Sequence, residues 1–478
     1  MLQRKPLVPQ RQQSVEERRA LAARCLHSIE EMNFDDDDDD DDDDDNNNDV
    51  SGSNSQITLL PLERKLLLKK ASISGWFLGA PISEIRRGNL EQWVCWAFFL
   101  KRRRDIQKKI TNDENENEGS NEMNEVNYLV DQIIQWAKID PLKIQDGFNP
   151  SVKCIRLDFD PIPSTYRPFI YYLVTYGLVG LTTEVIMKHW FGFVKHSSGC
   201  LTYWYRKGTQ KNHTSKNVNT TCVNNNNLSS TCSGSTCTNN QTSLQPIVFC
   251  HGLGVGVLSY VTLVNELLSN AASNADLFMV ELPHIAMRPI ESQASPRELS
   301  TCIEDLLHVH NHTSAHFVGH SFGTLVLTWI AKHTPHLASR YTFLDPVCFL
   351  LCKHDVAYNF LYKTPTNGAE ALMSYFVGQE LFISYTLSRR FYWQANILWP
   401  EEIMNVPTTV VLSQNDHIVP SKAVKRHLTS WKVSQDAEAC GSGCELKVVW
   451  LEGIGHAGFL LNRKAQTTVV KIIAGEYL

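Results

Sequence analysis

The pentapeptide Gly319-His320-Ser321-Phe322-Gly323 lies between a short apolar strand, His316–Val318, and an apolar helical run, Thr324–His333. A strand that turns at once into a helix cannot carry side chains where the two backbones approach. Glycines two residues before and two after the serine remove them. Such a turn lifts the serine off the sheet. A serine hydroxyl is a weak nucleophile until a neighbouring base takes its proton. The pattern therefore asks for a histidine and a carboxylate elsewhere in the chain. A structural Gly-rich turn is the bland alternative, and the flanking strand and helix argue against it.

The partners have definable places. Pro246–Cys250 is a continuous apolar run of strand length, ending at His251-Gly252-Leu253-Gly254. Small residues there let backbone N–H groups approach a ligand, and the N–H groups of Leu253 and Phe322 are the expected oxyanion donors. No Gly-Lys-Ser/Thr follows, which excludes a P-loop. The expected acid is Asp416, just past the run TTVVL, with Asp345 in TFLDPV as competitor. The expected base is His456, in the glycine-flanked loop after LKVVWL. The chain order serine, aspartate, histidine agrees with the strand-to-helix turn.

Around these residues strand and helix alternate. Strands are predicted at Leu201–Gly208, Pro246–Cys250, Leu277–Leu282, His316–Val318, Tyr341–Leu344, Thr408–Leu412 and Leu446–Leu451. Helices fall between them, so the fold class is α/β, with a mostly parallel central sheet flanked by helices. The gap between Asp345 and Thr408 is too long for a loop. It predicts a helical lid over about 350–403, rich in aromatic residues such as Tyr375, Phe376 and Phe382. Residues 1–56 are expected to form a disordered tail, 57–200 a helical N-terminal region with an acidic loop at 111–127, and 201–478 the α/β domain. A low-complexity insert at 209–245 reads as disordered. One helix is expected at Leu90–Ile110 and another at Tyr128–Ala137.

The net charge of −6 misleads: Asp35–Asp45 alone carries eleven negative charges, so the remainder is mildly basic. The acidity describes a solvated tail and gives no surface for nucleic acid. Thirteen cysteines without scaffold spacing, and a start lacking an apolar leader core, lead us to expect a cytoplasmic protein. Phe169–Met187 is the apolar run that tests that expectation. Its Thr175, Thr182, Thr183 and Glu184 favour a buried or lid helix over a spanning one. WVCWAFFLKRRR (93–104) joins aromatic and basic residues, so peripheral membrane contact is weighed against simple packing of a helix.

From Leu201 onward the chain resembles the α/β-hydrolase superfamily. ELPHIAMRP, LDPVCF, GWFLGAPISEIRRGN and YRPFIYYLVTYG resemble fungal and protist members with a helical N-terminal extension. Glu281-Leu282-Pro283-His284 stands where most members carry a Gly-x-Gly motif. What the resemblance implies is a serine hydrolase of open substrate, with a carboxylic ester or lipid as the leading expectation. The chemistry requires neither a metal nor an organic cofactor. An acyltransferase or thioesterase on the same residues, and a non-catalytic binding protein with a relic site, are the alternatives.

Overall fold

The computed structural model describes residues 12–30, 61–111, 116–140, 144–209, 245–438 and 445–476. The poly-Asp run and all but the two end residues of the 209–245 insert lie outside them. Eight strands form one sheet: β1 (Val194–Ser198), β2 (Leu201–Arg206), β3 (Ile247–Cys250), β4 (Leu277–Glu281), β5 (Ala315–His320), β6 (Ala338–Leu344), β7 (Thr408–Asn415) and β8 (Leu446–Gly455). Their order is β1-β2-β4-β3-β5-β6-β7-β8. β2 runs antiparallel to both β1 and β4. The other pairings are parallel. This is the α/β-hydrolase fold, with the reversal of strand order at β3–β4.

The apolar runs work because a central strand is covered on both sides. Successive residues of β3 alternate between two cores: Val248 and Cys250 join one, Ile247 and Phe249 the other. The second core is closed by the helices Val261–Ser269 and Arg463–Ala474. The first continues without a break into the N-terminal region, whose helices are α1 (Val15–Glu30), α2 (Pro61–Trp76), α3 (Arg87–Phe99), α4 (Arg103–Ile110) and α5 (Glu116–Trp136). Between β6 and β7 the chain forms helical turns over Asp355–Tyr362, Gly368–Gly378, Leu381–Arg389 and Trp393–Asn396.

Five expectations need correction. The tail expected to be disordered over 1–56 contains α1, because Leu21, Cys25 and Ile29 on one side of that helix are buried in the first core. The helix foreseen at Leu90–Ile110 is two helices. Leu100 takes a left-handed conformation (φ 51°), and Lys101 N–H donates back to Cys95 O, which ends α3 before the basic run. The acidic loop at 111–127 is mostly the first half of α5, which begins at Glu116 rather than Tyr128. Its acidic first turn complements the helix dipole, and Lys109 pairs with Glu118 at 2.6 Å while Lys101 bonds Glu122. Charge that reads as solvated in sequence is neutralised by the neighbouring helix. Strand β1 was not foreseen, because VKHSS has little apolar character and lies at the sheet edge. Finally, the run at 169–187 belongs to a helix, Phe169–Trp190, that is not buried: only 6% of its most apolar stretch is covered. Thr183 and Met187 pack against the domain, while Phe169, Ile170, Leu173, Leu178 and Leu181 face outward.

Candidate active site

Ser321 sits at the end of β5 with φ 51°, a region L-residues enter only under constraint. Its own N–H donates to Leu344 O at 2.9 Å, which ties the turn to β6. The flanking glycines are sterically required. A Cβ on Gly323 would lie 2.1 Å from the carbonyl oxygen of Cys250, and one on Gly319 would lie 2.8 Å from that of Gly323. The helix Gly323–His333 then starts directly beneath the serine.

The structure brings Ser321, His456 and Asp416 together. Ser321 Oγ lies 3.0 Å from His456 Nε2, and Asp416 Oδ2 lies 2.7 Å from His456 Nδ1. The other Asp416 oxygen accepts the N–H groups of Ile418 (2.8 Å) and Val419 (2.9 Å), which aims the carboxylate. The histidine and aspartate side chains are 4% and 0% exposed. Burial works against charge on His456. The Asp416 carboxylate, through its charge and its hydrogen bond, and Asp345 outweigh it and raise the pKa above 6.5.

Asp345, the competitor in sequence, neither bonds the histidine nor stands idle. Its oxygens accept Ser413 N–H at 3.1 Å and Ala457 N–H at 2.9 Å. It thus joins the end of β7, near Asp416, to the loop that carries His456. Burial pushes its carboxyl up to about 6, with the neighbouring Asp416 charge adding to the rise and His456 opposing it. Asp345, Asp416 and His456 offer three potential metal-ligand atoms within 4.8 Å. Each carboxylate and the Nδ1 already has a protein partner, which accounts for the cluster without an ion.

Leu253 and Phe322 line the same cavity as Ser321. The loop bearing Leu253 is held by groups that carry no signal in the sequence. Tyr260 Oη accepts Gly252 N–H at 2.8 Å and bonds His320 Nδ1 at 2.6 Å. His251 Nε2 accepts Leu282 N–H at 2.9 Å, and burial lowers its pKa to about 4, so it serves as a neutral acceptor. The last residue of β4 proves structural. Glu281 is buried and accepts from Trp204 Nε1 at 2.7 Å and Arg288 at 2.9 Å.

The cavity above Ser321 has almost wholly apolar walls. Val356, Phe360, Leu387 and Phe391 from the insertion between β6 and β7 form its roof. A site of this kind excludes water and strengthens any charge interaction inside it.

No protein-family model matches the chain, and no curated protein does. Solved structures similar to it include a serine hydrolase of Cycloclasticus zankles, at 11% identity and TM-score 0.38, covering 60% of this chain and 98% of that one. A bacterial membrane phospholipase A is similar at 12% identity and TM-score 0.39, covering 65% and 94%. A monoacylglycerol lipase of Paleococcus ferrophilus is similar at 14% identity and TM-score 0.32, covering 48% and 96%.

Proposed function

We propose that this chain is a serine hydrolase that cleaves carboxylic esters of apolar acids, lipid esters foremost, through an acyl-enzyme. The observation that carries the reading is the hydrogen-bonded chain Ser321–His456–Asp416 at the floor of an apolar cavity. His456 Nε2 takes the hydroxyl proton as Oγ attacks the ester carbonyl carbon. The Leu253 and Phe322 N–H groups hold the oxyanion. The imidazolium returns its proton to the departing alcohol, leaving an ester on Ser321. A water attacks that ester with His456 again as base, releasing the acid and restoring the serine. Removing one oxyanion donor in such sites costs about 2.7–4 kcal/mol of barrier.

The helix Phe169–Trp190 supports a lipid rather than a freely soluble substrate. It runs for 22 residues through alternating α- and π-helical turns, with aromatic residues at both ends. It is held along its inner face, where Tyr171 Oη donates to Phe376 O and Tyr172 Oη to Glu380. Docking of that kind favours a helix lying in the membrane interface over one that crosses it. Leu372, Tyr375 and Phe376, exposed on the insertion between β6 and β7, add further apolar surface.

The test is a fluorophosphonate probe together with p-nitrophenyl butanoate and hexadecanoate, offered to wild type and Ser321→Ala. Labelling and turnover by wild type alone are expected. A wild type that neither labels nor hydrolyses either ester would sink the reading, and equal labelling of both proteins would sink Ser321.

A further inference from the structure

A second apolar cavity lies inside the N-terminal helical region between α1, α2, α3 and α5. Protein interiors are normally packed to leave few voids larger than a water, and an unfilled apolar cavity lowers stability. This one is bordered by Ala22, Cys25, Ile29 and Ile133, with little polar surface. Trp76, Trp96 and Trp393 line both it and the cavity above Ser321. They form a partition between the two.

The partition is built rather than incidental. Trp76 Nε1 donates to Cys352 O at 3.3 Å, Trp96 Nε1 to Asp158 at 2.9 Å, and Trp393 Nε1 to Ala97 O at 3.0 Å. Each indole is therefore fixed from a different element: α2, α3 and the insertion between β6 and β7. Phe98 packs edge-on against Trp393. Fixed indoles expose their carbon faces to both sides, a surface suited to an alkyl chain and offering nothing to an anionic group.

We infer that the cavity in the N-terminal helical region is the distal half of a fatty-acyl binding site, reached from Ser321 past the tryptophan partition. The inference rests on the serine-hydrolase reading and deepens it. Short acyl groups fill the proximal cavity alone. Long unbranched chains pass the indoles and end among α1, α2 and α5. The N-terminal region then determines which acids this site accepts, although it contributes no group to the chemistry.

The test compares p-nitrophenyl hexadecanoate with the butanoate. Ala22→Phe fills the distal cavity and should lower the hexadecanoate-to-butanoate ratio of kcat/KM by about tenfold or more, with butanoate turnover unchanged. Trp393→Leu widens the partition and should raise the same ratio, which keeps the inference testable if Ala22→Phe fails to fold. A ratio unchanged in a folded variant overturns the distal site. If wild type hydrolyses neither ester, the hydrolase reading fails. Quenching of tryptophan fluorescence by 16-bromohexadecanoic acid then decides the distal site separately. Quenching in wild type that Ala22→Phe abolishes upholds it, and no quenching, or equal quenching in both, overturns it.

Discussion

At the scale of residues, two carboxylates approach one imidazole and are given different tasks. Asp416 bonds His456 directly, so Asp416→Asn should lower kcat on p-nitrophenyl butanoate about 10,000-fold. Asp345 acts through backbone N–H groups at two loops, so Asp345→Asn, which keeps one acceptor oxygen, should cost only about tenfold in kcat/KM. A greater loss with Asp345→Asn than with Asp416→Asn would exchange the two assignments. The pH profile separates them further. His456 accepts a proton only when neutral, and its pKa lies above 6.5, so kcat/KM should rise with pH through that raised value. The groups around the imidazole are Asp416, Asp345, His320 at 5.5 Å and His417 at 6.2 Å between ring centres. Burial keeps both of those histidines below their ordinary pKa, so near neutrality the carboxylates dominate. Removing the Asp345 charge should move the acid limb to lower pH. Ser321, Asp416 and His456 were legible because each follows a strand with a recognisable turn or loop. Tyr260 was not, since a tyrosine in an ordinary apolar helix carries no local mark of the loop it will hold.

At the scale of elements, the helix Phe169–Trp190 behaves unlike anything else in the chain. Its sequence mixes threonines and a glutamate into an apolar run, which reads as a helix hidden in a core. Thr183 instead serves the inner stripe: its Oγ1 donates to Val179 O within the helix and is buried. The outer stripe is left to the surroundings, a division that periodicity cannot assign because both stripes are apolar. Leu173→Glu combined with Leu178→Glu and Leu181→Glu should abolish flotation with phosphatidylcholine vesicles, since burying three leucines is worth about 4 kcal/mol or more. Turnover of p-nitrophenyl butanoate should stay unchanged. Flotation equal to wild type would show that this face does not meet lipid. The acidic first half of α5 illustrates the converse limit. Its glutamates look solvated until Lys109 of α4 meets Glu118 and Glu122, and helical periodicity does not show that the chain folds back between the two helices.

At the scale of the whole molecule, the strand pattern carried the sheet and its order of elements, but not the relation of the N-terminal region to it. One core runs from Leu21 in α1 to Val410 in β7, so the helical region and the sheet should not melt independently. Ile133→Ala, which removes buried methyls from α5, should lower the single thermal transition of the entire chain, at a cost of about 2–5 kcal/mol, as followed by circular dichroism. Two resolved transitions would show separate folding units. The sheet also places β6 and β7 side by side and parallel, so Asp345 and Asp416 both follow strands that end at the same edge. An inheritance of mutations could therefore hand the acid from one strand to its neighbour by small steps. Each intermediate would still present the histidine with a carboxylate, and descendants of one ancestor could differ in where the acid stands in the chain while running the same reaction.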